Sequence, residues 1–326
     1  MDVSAVQRVS LLIPVYRGEK TLPTLIDEIT PLTQEQKTPG GNRYVIGEVL
    51  LVHDCGPDQS DKAIEILAAQ NSFVRPVWLS RNYGQHAATL AGMASSTGDW
   101  VATIDEDGQQ DPADIGCMLD RALAASLQLV YAQPTNPPPH SWLRNALSRT
   151  VKSITTKLLG NSVIGRFNSF RLVDGEIARS LAAYCGNGVY LDIALFWITG
   201  RVGHCPVQLR NEMDRPSGYS YIKLLGHFWH LLLTTGTRPL RFITLMGIGS
   251  IVLAAAISGY ALYAKLFAQV PVQGWTSLVI VVSFFSGCIL TALGIIAEYL
   301  AVTTSIVMGK PLYVVATKPT RPAVRK

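Results

Sequence analysis

The chain has 326 residues, 48% hydrophobic but only 16% charged, with a formal net charge of +5. That apolar content excludes disordered, fibrous and low-complexity classes. A soluble globular surface ordinarily carries about 25% charged residues, so the deficit points to a segment that never meets water.

The opening MDVSAVQRVSLLIPVY has no basic stretch followed by a long apolar run, so no signal peptide is expected. Apolar runs then alternate with amphipathic stretches. VSLLIPV precedes a predicted helix over Leu22–Ile29, YVIGEVLLV one over 60–69, and VRPVWLS one over 85–94. WVATID leads to a helix opening at Pro112, and LQLVYA reads as a fifth strand. This alternation predicts an α/β sheet covered by helices. The run VLLV suits a parallel strand buried on both faces. Ligands of such sheets bind beyond the carboxyl ends of the strands.

Residues 133–139 are Pro-rich and read as a loop, and 141–159 as a helix ended by Gly160. FNSFRLV and VGHCPVQLR add strands to the same domain. Residues 221–233, YIKLLGHFWHLLL, read as an interfacial helix, with a packed core helix as the alternative. No internal repeat is evident.

The missing charge is found near the end. Residues 242–264 and 275–297 are two runs of 23 residues without a formal charge, each long enough as a helix to cross about 30 Å of hydrocarbon. Trp275 stands where an interfacial aromatic would sit. Arg238 and Arg241 precede the first run, and Lys310, Lys318, Arg321, Arg325 and Lys326 follow the second, against one Lys265 between them. The positive-inside bias therefore expects the front domain and both termini in the cytoplasm. Membrane anchoring then explains the basic balance without nucleic acid. The expected organisation is a catalytic domain over 1–215, a juxtamembrane amphipathic region over 216–240, two spans within 241–308 and a basic tail over 309–326. Cys55, Cys117, Cys185, Cys205 and Cys288 are scattered and odd in number, so neither a disulfide framework nor a zinc knuckle is expected.

The densest chemistry follows WVATID. Asp105, Glu106, Asp107 and Asp111 lie within TIDEDGQQDP and repel one another unless a cation or solvent screens them. Asp105 and Asp107 can converge on a hard divalent ion, magnesium or manganese, to which Gln109 adds a carbonyl oxygen. The plainer reading is an acidic helix-initiating loop, with Asp111 as cap and Pro112 at the first helical position. A second cluster, His53-Asp54-Cys55-Gly56-Pro57-Asp58, ends VLLV, where Asp54 could accept a hydrogen bond from a base and Asp58 suits a turn. Neither cluster is a dinucleotide fingerprint or a Walker loop, so a dehydrogenase and a P-loop ATPase are poorly supported.

Taken in order, Ile13-Pro14-Val15-Tyr16 with Glu19, Asp54 with Asp58, Leu79 to Gly84, the Asp105/Asp107/Gln109 region with Asp111-Pro112, and Ser169-Phe170-Arg171-Leu172 carry a resemblance. So do Ser217 and Tyr219 ahead of Lys223, and Thr237-Arg238-Pro239-Leu240 before two spans. The chain resembles the membrane-anchored branch of the family 2 inverting glycosyltransferases of GT-A fold, which includes polyprenyl-phosphate sugar transferases. The resemblance implies that Pro14, Tyr16, Glu19 and Asp54 surround the nucleotide, and that Asp105, Asp107 and Gln109 hold Mg2+ or Mn2+ and the donor diphosphate. It places Asp107 and Arg171 in catalysis, Arg171 meeting phosphate charge near the acceptor. Arg81 and Asn82 shape the donor pocket, Ser217 and Tyr219 hold a lipid phosphate, and Arg215 is a second phosphate contact.

The implied reaction moves a hexose from a nucleotide diphosphate sugar, UDP-glucose-like, to undecaprenyl or another polyprenyl phosphate at the cytoplasmic face of a bacterial inner membrane. Alternatives are an anchored transferase with another lipid or glycan acceptor, and a non-enzymatic scaffold or flippase partner. Association into a homo-oligomer through the spans is left open. Four departures from the family pattern stand out: His53-Asp54 replaces an aspartate pair, Cys55-Gly56 replaces Gly-Ser, Gln110 is an extra candidate ligand, and Gln133 to Pro137 lacks the usual arginines. Arg144, Arg166 or Arg171 would then recognise the acceptor phosphate.

Overall fold

A computed structural model describes residues 5–136, 167–186, 190–210, most of 247–263, 274–309 and 311–319. The chain divides into two compact units, Met1–Ser220 with Pro311–Lys326, and Tyr221–Lys310.

The first unit is a mixed sheet of nine strands among the described residues. β1 (Gln7–Val15), β3 (Arg43–His53), β4 (Val74–Leu79) and β5 (Trp100–Thr103) are parallel, with β1 between β3 and β5. β6 (Leu129–Pro134), β7 (Arg171–Asp174) and β8 (Val202–Val207) extend it in the order β8-β6-β7-β5. β7 runs antiparallel to both β5 and β6, and the short β2 (Gln36–Lys37) pairs antiparallel with β3. The far edge is β9 (Val315–Ala316), antiparallel to β4. Residues 311–319, expected as part of a basic tail, thus supply an edge strand of the first unit.

Among the described residues six α-helices cover the two faces. Leu11, Ile13, Val15, Val49 and Leu51 point to one face, under α1 (Leu22–Ile29), α2 (Ser60–Gln70) and α4 (Asp114–Ala124). Leu12, Leu50 and Val52 point to the other, under α3 (Gln85–Ser95), α5 (Gly175–Tyr184) and α6 (Leu191–Ile198). This two-sided burial is why the central strands read as unbroken apolar runs rather than alternating ones. In α1 the buried set is Leu22, Leu25, Ile26 and Ile29, one stripe at helical spacing. Helix α4 opens at Asp114 rather than at Pro112. The Asp114 and Ile115 N–H groups bond three residues back to Asp111 and Pro112, so the acidic loop ends in a tight turn before the helix.

In the second unit α7 (Trp275–Val307) contains the one helix segment among the described residues long and apolar enough to cross a membrane, 284–301. It runs ten residues past the predicted end at Ala297 and includes Glu298. Leu278, Phe284, Leu290 and Leu293 are exposed along it. The first predicted span appears only as a shorter apolar helix, Gly247–Ile257, so a hairpin of two spans is not established. Residues 221–233 lie outside the described residues.

Candidate active site

Four parallel strands, β5, β1, β3 and β4, end side by side, and residues at or beyond their ends enclose a cavity of about 400 Å³. Its lining comprises Pro14 and Val15 at the end of β1 with Tyr16 after it, Asp54 after β3, Asn82, Gly84, Gln85 and Ala88 from β4 to α3, and Asp105, Glu106 and Asp107 after β5. This is where a parallel α/β sheet places its ligands.

The wall at the β3 end depends on close backbone approach. A Cβ on Gly56 would lie 1.6 Å from the carbonyl oxygen of Tyr16, so only glycine lets these two loops touch. Asp54, 3% exposed, accepts the N–H of Tyr83 at 2.7 Å and of Gly84 at 2.8 Å, which shapes the loop opening α3. Burial pushes its carboxyl up to about 6, against the pull of those two N–H bonds. The Arg81 guanidinium lies 4.5 Å from the centre of the Tyr83 ring. Tyr16 is 41% exposed and presents its ring at the rim.

The acidic wall is built around Asp105. Oδ1 accepts from Gln85 Nε2 at 2.6 Å, while Oδ2 accepts from Gln110 Nε2 at 3.0 Å and from Ser169 Oγ at 2.5 Å. The Gln110 carbonyl accepts the Asp105 N–H at 2.9 Å, closing a ring within the loop. Burial, and then the neighbouring charge of Asp107, raise the Asp105 carboxyl above the usual range despite these donors. Glu106 accepts the N–H groups of Tyr16 and Arg17, each at 2.9 Å, and so ties this loop to the β1 loop. Asp107 Oδ1 accepts the Gln109 N–H at 3.0 Å.

Of the residues singled out in sequence, Pro14, Tyr16, Asp54, Asn82, Asp105 and Asp107 meet in this cavity. Arg81 flanks it in the same loop as Asn82. Glu19 lies outside the lining: its carboxylate accepts the Gln59 N–H at 3.2 Å, just before α2. Gln109 is held by its main chain, its carbonyl accepting the Arg210 N–H at 2.8 Å, and Gln110 is the glutamine that reaches Asp105. Arg215, Ser217 and Tyr219 lie outside the described residues, as do Arg144 and Arg166.

Arg171 differs most from its expected position. It is 4% exposed on β7 and ion-paired with the equally buried Asp192, which also accepts the Tyr131 hydroxyl at 2.9 Å. Its Nε donates to Thr103 Oγ1 at 3.2 Å and to the Ser169 carbonyl at 3.3 Å. β7 lies between β5 and β6, in a register that sets Arg171 opposite Thr103, and the guanidinium is buried against Asp192 and is not part of the cavity lining. It braces Ser169, which in turn braces Asp105.

The sequence reading assigned no site role to Gln85, to Glu106 within the acidic cluster or to Ser169 within the Ser169-Phe170-Arg171-Leu172 motif. Their only signal was position: Glu106 within the acidic loop, Gln85 directly after the Gly at a helix start, and Ser169 two residues before the strand arginine.

Asp105 and Asp107 both line the cavity, which offers two carboxylates to a hard divalent ion. Among the described residues no cluster of three His, Cys, Asp or Glu forms a complete cage. Two carboxylates with substrate phosphate oxygens are nonetheless a usual ligand set for magnesium.

The glycosyl transferase family 2 profile matches residues 10–181, more than half of the chain and all of the cavity lining. Among solved structures, a mycobacterial protein superposes with a TM-score of 0.52 at 18% identity, over 72% of this chain and 76% of that one. Mannosyl-3-phosphoglycerate synthase from Rubrobacter xylanophilus gives 0.50 at 15% identity, over 71% and 74%. Glucosyl-3-phosphoglycerate synthase from Mycobacterium tuberculosis, in complex with Mn2+, uridine diphosphate and glucosyl-3-phosphoglycerate, gives 0.48 at 18% identity, over 71% and 80%. At these identities the first two likenesses concern the fold alone. With the profile covering more than half of the chain, from within β1 through β7, together with the acidic cavity, the chain belongs to glycosyl transferase family 2 and is a glycosyltransferase.

Proposed function

We propose that the protein transfers a hexose from a nucleoside diphosphate sugar, UDP-glucose-like, to a polyprenyl phosphate at the cytoplasmic face of a cell membrane. The observation that carries the reading is the meeting of Asp54, Asp105, Glu106 and Asp107 with Pro14 and Tyr16 in one cavity. A flat apolar and aromatic rim suits a base, and an acidic wall suits a diphosphate only through a cation. The apolar helix α7 supports a lipid acceptor, because a substrate with a long hydrocarbon chain is met at a bilayer.

Within this reading Pro14, Tyr16 and Asn82 receive the nucleoside, and Asp54 keeps the Tyr83–Gly84 turn in the shape that admits it. Asp105 and Asp107 hold Mg2+ or Mn2+, whose charge offsets the diphosphate and its development as leaving group. Glu106 and Gln110 fix the acidic loop so that the donor meets prepositioned groups. The acceptor phosphate is anionic near neutral pH, its second pKa being about 6. Attack on the anomeric carbon therefore needs alignment rather than a general base.

The test incubates the purified full chain with polyprenyl phosphate and a panel of nucleotide sugars, with and without divalent ions, and weighs the lipid products. A hexosyl phospholipid formed only with a divalent ion, and abolished by Asp107→Asn, is the expected result. Transfer to 3-phosphoglycerate or a glycan acceptor alone would replace the lipid reading. Wild-type turnover by Asp107→Asn would remove the metal assignment.

A further inference from the structure

Two cysteines that sequence spacing leaves unrelated meet behind the acidic loop. Cys117 on α4 and Cys205 on β8 are 88 positions apart, yet their sulfurs lie 3.0 Å from each other. Both are thiols in this structure, Cys205 1% exposed and Cys117 partly exposed. A disulfide needs about 2.05 Å between sulfurs, so closure asks for roughly 1 Å of approach between a helix and a strand already packed together.

Both elements lead directly to the site. Helix α4 begins three residues after Asp111, the last carboxylate of the acidic loop. Three residues beyond β8, Arg210 donates its N–H to the Gln109 carbonyl at 2.8 Å and its guanidinium to Asp111 at 2.5 Å and Glu28 at 2.7 Å. The acidic loop is therefore suspended between the two elements that carry the thiols.

We propose that Cys117 and Cys205 form a reversible redox clasp whose closure stiffens the acidic loop of the donor site. The oxidant is a low-molecular-weight disulfide. The Cys117 thiolate, on the more exposed side, attacks one sulfur of that disulfide and expels a thiolate. The Cys205 thiolate then attacks the Cys117 sulfur of the mixed disulfide and expels the second. Two small thiols leave carrying the two cysteine protons, and the electron pair goes with them. Burial raises the Cys205 thiol, and that burial persists in the mixed disulfide, so the second step is slow at neutral pH and accelerates as pH rises.

The experiment treats the reduced full-length protein with oxidised glutathione, then alkylates and maps it by mass spectrometry, and follows hydrogen exchange over residues 105–114. The five alkylatable thiols should fall by two, with a single linkage joining Cys117 to Cys205. Exchange in 105–114 should slow several-fold, returning with dithiothreitol. Cys117→Ser should lose both effects while keeping transferase activity. Should that variant fold poorly, the oxidised and reduced wild type still decide the matter. Five thiols persisting after treatment, a bridge involving Cys55, Cys185 or Cys288 instead, or a correct bridge with unchanged loop exchange would each overturn the proposal.

Discussion

The carboxylate of Glu106 accepts the backbone N–H of Tyr16 at 2.9 Å, joining the loops that follow β5 and β1 across the cavity. Both loops contribute lining residues, so this bond sets the separation of the acidic wall from the aromatic rim. Glu106 also takes the Arg17 N–H, so one side chain orders two consecutive backbone donors.

Glu106→Gln replaces one of the two acceptor oxygens by a donor that faces an N–H. Losing such a bond costs about 1–3 kcal/mol. The donor KM should rise roughly 5- to 150-fold on that basis, read by steady-state kinetics with the acceptor saturating. An unchanged donor KM would show that the two loops hold their spacing without it.

Asp54 supplies a pH dependence. Its folded-state carboxyl sits at about 6 against an ordinary 3.8. Between those values the folded protein holds a proton that the unfolded chain has released, so stability falls as pH rises through that window. The full contribution is present below about pH 3.8, and its loss by pH 7 is at most about 3 kcal/mol. The unfolding midpoint of the wild type relative to that of Asp54→Asn, measured in detergent, should therefore fall from pH 4 to pH 7. A wild-type midpoint that rises relative to the variant over that range would contradict the burial of this carboxyl.

Arg171→Ala tests whether the strand arginine acts on substrate or on the fold. Removing it leaves Asp192 buried without its cation, a change that costs about 3–5 kcal/mol. The unfolding midpoint should drop sharply, whereas a raised acceptor KM at wild-type stability would return Arg171 to the acceptor phosphate.

Gly56→Ala puts a methyl group where the Tyr16 carbonyl oxygen now lies, 1.6 Å from the ideal Cβ position. The β1 and β3 loops must part, and forced overpacking of this kind costs about 1–3 kcal/mol. Nucleotide binding by calorimetry should weaken at least about 5-fold on that cost. Wild-type affinity would mean that the rim does not depend on this contact.

Much of the fold was legible before any coordinates. Leu22, Leu25, Ile26 and Ile29 repeat at helical spacing, and the predicted bounds of α1 coincide with those observed. The uninterrupted VLLV run announced a strand buried on both faces, as β3 is. The β9 edge strand was not legible, because two residues of ladder at the end of a basic segment carry no periodicity. The end of α7 was missed for a different reason. A charge ends an apolar run in sequence, yet Glu298 does not end a helix.

The same division holds at the site. Local chemistry determined which residue types gather: carboxylates after the β5 run, an aspartate after VLLV, and a proline and tyrosine at the end of the first strand. It also determined that the uncharged residues concentrate near the end of the chain. Only the tertiary structure decided which of those groups share a cavity and what each is bonded to. Sequence order carries no information about strand register. It is the antiparallel pairing of β7 with β5 that turns Arg171 toward Asp192 and brings Ser169 to Asp105, and the packing of α4 on β8 that brings Cys117 to Cys205.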